Sequence, residues 1–320
     1  VILFGRNIDN PDQVRRLTAD VREALQWHAP ILIDQEGGRV QRLKPPHWDR
    51  YPAVSRFGAM ELAEPGAGVE AAQIATWLIA DDLLDVGINV NCAPVLDLRV
   101  AGGTDAIGNR AFHGDPKTVS RLGRATMNAY IEAGVAPVIK HIPGHGRAVV
   151  DSHVGLPRIT ADRETLERTD FLPFQALRDA PLAMTGHLVF EAIDPDNPVT
   201  LSPAMIGIIR EQIGFDGALM TDDLSMGALS GSMVERATRS LSAGCDLALH
   251  CNGMRGEMEA IRDAVPLLEG RSAERCVAAL ARLGHQTLDR ASLTDRLETL
   301  FASFAVDEVG QDPTVFGRKT

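Results

Sequence analysis

Ala136-Pro137-Val138-Ile139-Lys140-His141 is a short apolar run that stops abruptly at two titratable groups. A strand covered on both faces needs no polar alternation, so such a run fits a parallel strand buried beneath crossover helices. Six further runs share the pattern: Val1 to Arg6, Ile31 to Asp34, Ile88 to Leu96, Leu182 to His187, Gly217 to Thr221 and Asp246 to His250. Between them lie segments of helical periodicity. Asn10-Pro11, Asp115-Pro116 and Ser202-Pro203 each place proline in a first turn, where its missing N–H costs nothing, and Gly87, Gly134 and Gly214 mark helix ends. No Ser/Gly linker or charge block divides the alternation. The pattern predicts one domain over residues 1–320, an α/β fold of the (β/α)8 TIM-barrel type, with a doubly wound open sheet as the competing fold. Seven strands are visible, the first already under way at Val1.

The strands end in chemistry: Asp34, Asp97, Lys140-His141, His187, Asp222-Asp223 and His250. In a parallel barrel these ends share one face, so residues about 180 positions apart can line one pocket. Composition narrows what that pocket meets. Of 320 residues, 32 are basic and 43 acidic, a net charge of −11, which repels nucleic acid and anionic membrane surfaces. Cys92, Cys245, Cys251 and Cys276 have no metal-ligand spacing and read as buried thiols of a reducing, cytoplasmic compartment. No apolar run approaches a membrane span, and no charged-then-apolar leader opens the chain.

Three readings compete for Lys140 to His153. A metal site would use His141, His145, Asp151 and His153, but their spacing matches no zinc signature. Lys140 could form a Schiff base if desolvation lowered its pKa, whereas nearby carboxylates would keep it charged and suit it to donate to substrate hydroxyls. In the third reading Asp151 pairs with His153 across Ser152, an i, i+2 spacing that places both side chains on one side of extended backbone. Such a carboxylate fixes the imidazole tautomer and favours its protonated form, as a general acid requires. At Thr221-Asp222-Asp223 one carboxylate can face the pocket while its neighbour caps the following helix. Asp34-Gln35-Glu36-Gly37-Gly38-Arg39 ends another strand in carboxylates, with a double glycine that allows close backbone approach. Arg42 and Arg110 add fork-shaped donors suited to hydroxyls.

Taken together, Asp34 to Arg39, Ala93-Pro94-Val95-Leu96-Asp97, Gly108-Asn109-Arg110-Ala111-Phe112, Lys140 to Gly146, Asp151-Ser152-His153 and Thr221 to Met226 resemble glycoside hydrolase family 3. Within it they resemble the β-N-acetylglucosaminidases of bacterial peptidoglycan recycling, and the match spans nearly the whole chain. The resemblance also implies that the first barrel strand, which the family carries before Val1, is absent from this chain, and Ile142 stands where a phenylalanine is more usual. The resemblance implies Asp222 as nucleophile, His153 as acid/base and Asp151 as its partner. It also implies Asp34, Arg42, Arg110, Lys140 and His141 as the residues that grip N-acetylglucosamine.

The expected reaction is retaining hydrolysis of terminal β-linked N-acetylglucosamine, from muropeptide fragments such as GlcNAc-anhydro-MurNAc or from chitooligosaccharides, through a glycosyl-aspartate. The glycine-bounded loop is expected to bring His153 in when substrate binds. Phosphorolysis and a non-catalytic sugar-binding barrel are the alternatives. No metal, nucleotide or organic cofactor is called for.

Overall fold

In the computed structural model, residues 1–152, 155–281, 283–284 and 287–304 are described. The strands are β1 (Ile2–Leu3), β2 (Leu32–Ile33), β3 (Val90–Asn91), β4 (Ala136–Ile142), β5 (Arg158–Ile159), β6 (Leu182–Thr185), β7 (Val189–Phe190), β8 (Ala218–Asp223) and β9 (Leu247–Leu249). The helices are α1 (Pro11–Leu25), α2 (Val54–Ala63), α3 (Ala67–Asp85), α4 (Pro116–Ala133), α5 (Arg163–Arg168), α6 (Leu172–Ala176), α7 (Pro203–Glu211), α8 (Met233–Ala243), α9 (Arg255–Ala264), α10 (Gly270–Ala281) and α11 (Arg290–Ala302). Local chemistry sets their starts. The Asn10, Asp115 and Ser202 side chains accept the Gln13, Thr118 and Met205 N–H groups at 3.0, 2.8 and 3.1 Å, each one residue before a proline. An N-cap of this kind contributes about 1 kcal/mol. At the other end of α4, Gly134 takes φ +100°, a conformation that favours glycine.

Seven strands form one wholly parallel, curled sheet in the order β1-β2-β3-β4-β6-β8-β9. The order follows the chain without the reversal of a doubly wound sheet, which removes the competing fold. All seven anticipated runs contribute a strand. A separate parallel pair, β5 with β7, was not anticipated. The sheet's edges are β1 and β9, and the Arg6 guanidinium donates to the Cys251 carbonyl from one edge to the other.

Strand alternation sorts the core into two layers. Leu3, Ile31, Ile33, Ile139, Ala183 and Leu219 face outward and join the helices in the larger cluster. Leu32, Val90, Cys92, Ala136, Val138, Leu182, Met184, Ala218 and Met220 face inward and fill the space the sheet encloses. Helix α10 closes that space from below. Its Ala279 packs into the inner cluster with Cys276 and Leu280 against it, while Ala278 and Ala279 lie beside Pro181 and Gly217, just before β6 and β8. Among the described residues no helix is long and apolar enough to cross a membrane.

Candidate active site

The same alternation continues upward into polar residues. Ile2 is followed on its face by Phe4, Leu32 by Asp34, Val138 by Lys140, Met220 by Asp222 and Leu249 by Cys251. All of these second residues line one cavity of about 370 Å³ at the carboxyl ends of the strands, together with Arg6, Ile107, Arg110, His141, His145, Asp151, Ser152, Asp223 and Met226. Seven of the eight anticipated site residues can therefore be placed, six of them on this cavity: Asp34, Arg110, Lys140, His141, Asp151 and Asp222. Arg42 stands behind Asp34, reaching its Oδ2 at 3.2 Å with its own side chain over the Phe4 ring. His153 lies outside the described residues.

Beneath the mouth is a buried ionic cluster. Lys140 Nζ sits 2.8 Å from Asp34 Oδ1 and 2.7 Å from Glu36 Oε1, and Arg110 donates twice to Glu36 at 2.8 Å. Burial alone would raise both carboxyl pKa values. The charges of Lys140 and Arg42 hold Asp34 far below the usual range instead, and those of Arg110 and Lys140 hold Glu36 at about 2. For Lys140 burial would favour the neutral amine, but Asp34 and Glu36 outweigh it and raise its pKa. That ammonium is a fixed donor, which disfavours the Schiff-base reading.

Glu36 was not singled out from the sequence, yet it pairs with two cations, Lys140 and Arg110, just as Asp34 pairs with Lys140 and Arg42. Its signal was the i, i+2 spacing from Asp34, which puts the two carboxylates on one side of an extended segment. Gly37 and Gly38 make the segment fit: their φ values are +91° and +59°, and a Cβ on Gly37 would meet the Pro52 carbonyl at 2.6 Å. Asp97 was also passed over as a site residue. Fully buried, it accepts from the His141 ring at 2.6 Å and from the His145 N–H at 2.6 Å, fastening both ends of the Lys140–Gly146 turn. Burial would raise its pKa, and His141 prevails and lowers it. With the His141 Nδ1–H given to Asp97, Nε2 remains as the other ring atom of a side chain that lines the cavity.

At β8 both adjacent carboxylates reach the cavity wall, and the following helix α8 is capped by Ser232 rather than by Asp223. Asp222 lines the cavity, half-buried, and its Oδ1 accepts the Asp223 N–H at 2.8 Å. Asp223 serves the backbone, accepting the Ser225 N–H at 2.9 Å and the Cys251 N–H at 3.0 Å, so it tethers β9 to the turn after β8. His187 is spent similarly, between Thr200 Oγ1 at 2.7 Å and the Asp223 carbonyl at 3.0 Å, and burial lowers its pKa. Among the described residues no cluster of three or more His, Cys, Asp or Glu is placed to hold a metal ion.

Titratable groups gathered above an apolar floor, at the carboxyl ends of parallel strands, define an α/β enzyme with its site at the mouth of the sheet. Comparison with known proteins makes this specific. Residues 1–284 match the model of the glycosyl hydrolase family 3 N terminal domain, and the chain belongs to that family. The chain is 40% identical over 257 residues to a beta-hexosaminidase of Alkalilimnicola ehrlichii, covering 79% of this chain and 73% of that one. It superimposes with TM-score 0.84 on NagZ from Neisseria gonorrhoeae in complex with N-trifluoroacetyl-D-glucosamine, at 32% identity, over 93% of this chain and 89% of that one. A family 3 beta-N-acetylglucosaminidase from Paenibacillus matches with TM-score 0.82 and 32% identity over 93% of this chain, which spans 62% of that longer chain.

Proposed function

We propose that the chain is a retaining β-N-acetylhexosaminidase that releases terminal β-linked N-acetylglucosamine, acting as one TIM-type catalytic barrel domain. One observation carries the reading: the Asp222 carboxylate opens on the same cavity as the Asp34–Lys140 ion pair, with Asp151 also on its wall. Asp34, Lys140, Arg110 and His141 offer charged or polar partners to the sugar's hydroxyl and acetamido groups, with Arg42 steadying Asp34. The N-acyl glucosamine in the Neisseria complex supports this choice of sugar.

In the first step Asp222 attacks the anomeric carbon while His153, backed by Asp151, gives its proton to the glycosidic oxygen. The C1–O bond breaks, the aglycone departs as an alcohol and a glycosyl ester forms on Asp222. Water then gives a proton back to His153 and attacks C1, freeing Asp222 and restoring the β configuration. Most retaining enzymes use a second carboxyl group about 5 Å from the first as acid. Here an imidazole takes that role. Muropeptide fragments are the substrates this reading favours.

The test is covalent. Asp222→Ala should lower kcat by ~10⁴-fold or more, and a fluorinated N-acetylglucosaminide should label the wild-type enzyme on the peptide carrying Asp222. Label on another residue overturns the assignment. Products analysed with and without inorganic phosphate should be free N-acetylglucosamine in both; a sugar phosphate would mean phosphorolysis.

A further inference from the structure

Ser152 lies between the two members of the proposed acid/base dyad, and nothing so far gives it a task. Its surroundings do. Val149 and Val150 just before it are 68% and 42% exposed, whereas Ser152 is 5% exposed. Buried polar side chains need partners. Ser152 Oγ lies 3.2 Å from Nε2 of His145, and the Ser152 carbonyl accepts the Ala228 N–H at 3.1 Å. His145 belongs to the turn after β4, and Ala228 to the segment that follows Asp222 and Asp223 at the end of β8. This one residue therefore ties the loop bearing Asp151 to the ends of β4 and β8, two of the strands that make the cavity.

His145 is suited to be a fixed anchor. Its N–H is held by Asp97 at 2.6 Å, and its ring meets that of His141 edge to face with centroids 5.6 Å apart. Burial first, then the neighbouring His141 charge, lowers its pKa to about 4, so the ring is neutral near pH 7. A neutral imidazole carries one proton. Among the described residues Nδ1 is buried without a hydrogen-bond partner, and a bare lone pair is tolerated there better than an orphaned N–H. The proton therefore sits on Nε2 and is donated to Ser152 Oγ. A proton-donating role for His145 itself is disfavoured, because its only proton is already engaged.

We infer that Ser152 and His145 form a positioning pair that seats the Asp151–Ser152 segment against the cavity, so that the dyad delivers its proton in line with the glycosidic oxygen. Ser152 is a positioning residue here, acting through Asp151 and His153. The inference rests on the acid/base reading given above. It also makes a particular demand: loss of Ser152 must harm protonation of the leaving group and leave attack by Asp222 comparatively untouched.

The experiment is a series of aryl N-acetylglucosaminides whose leaving groups range from activated to poor. These are compared for wild type, Ser152→Ala, Ser152→Thr and His153→Ala, with melting temperatures alongside. Ser152→Ala should lose about tenfold more in kcat/KM on the poorest leaving group than on the best, since one donor–acceptor contact of this kind is at stake. His153→Ala should show the same trend more steeply, and Ser152→Thr, which keeps the hydroxyl, should restore most of the slope. A lost hydroxyl that merely weakened the fold would lower the melting temperature and depress all substrates alike. Equal losses across the series in Ser152→Ala, or no loss, overturn the pair while a steep His153→Ala leaves the acid/base reading standing. A flat His153→Ala series overturns that reading, and this inference with it.

Discussion

Glu36 gives the sharpest stability prediction, because its charge is buried and fully committed. Asp34 and Glu36 stand against Lys140, Arg42 and Arg110, two carboxylates against three cations. Glu36→Gln keeps the shape and leaves Asp34 as the one ion-paired carboxylate of the cluster, with Asp97 acting on Arg110 only through space. Breaking a buried pair by removing one member costs about 3–5 kcal/mol. An independent route gives a similar figure. The Glu36 pKa is about 2 against an ordinary 4.5, and that difference amounts to ~3 kcal/mol of linked stability. The sign is fixed by the direction of the shift. A depressed carboxyl pKa stabilises the fold fully above 4.5, and the contribution fades as pH falls toward 2, where the folded protein too becomes protonated. At pH 7 the variant should therefore melt roughly 6–10 °C lower, at about 2 °C per kcal/mol for a chain of this size. Between pH 5 and pH 3 the gap should narrow, because the wild type is losing what the variant never had. Thermal melts of both proteins across that range test it. A gap that stays constant with pH would refute the ionic account and leave shape as the cause.

Asp97→Asn removes the acceptor that fixes the His141 ring and holds the His145 N–H. It should raise KM about tenfold and cost about 3 kcal/mol in urea unfolding, and an unchanged KM would deny His141 any part in binding. Lys140 is kept charged by Asp34 and Glu36 against the effect of burial. Borohydride added with free N-acetylglucosamine should therefore leave the protein mass unchanged; a reduced adduct on Lys140 would overturn the fixed-donor reading.

The sheet was legible because strands covered on both faces must be apolar throughout and must stop where the cavity begins. Ala136 to Lys140 and Gly217 to Thr221 both do so, giving way to His141 and to Asp222. The anticipated lengths were less faithful. Ile88 to Leu96 pairs in the ladder only at Val90–Asn91, with an isolated bridge at Val95, and Pro94 between them has no N–H to give the ladder. The β5–β7 pair, two residues per strand, is too short for any periodicity to announce. In the site, the residues named from strand ends converge, but their partners did not advertise themselves. Glu36 was hidden by the conspicuous glycines after it. Asp97 looked like any strand terminus until its two contacts across the Lys140 turn were seen. The placement of α10 was illegible too. Cys276, Ala279 and Leu280 have the spacing of any amphipathic helix, and nothing local says which surface they will cover.

That placement makes the far end of the chain a silent participant in the chemistry at the mouth. Cys276, Ala279 and Leu280 act as a cork against the inner apolar layer on which Lys140 and Asp222 rest. With the cork seated, the ion pairs above lie over an apolar layer, where their attractions are stronger than in water. Were it withdrawn, water rising from below would weaken those attractions without altering one residue that touches the sugar.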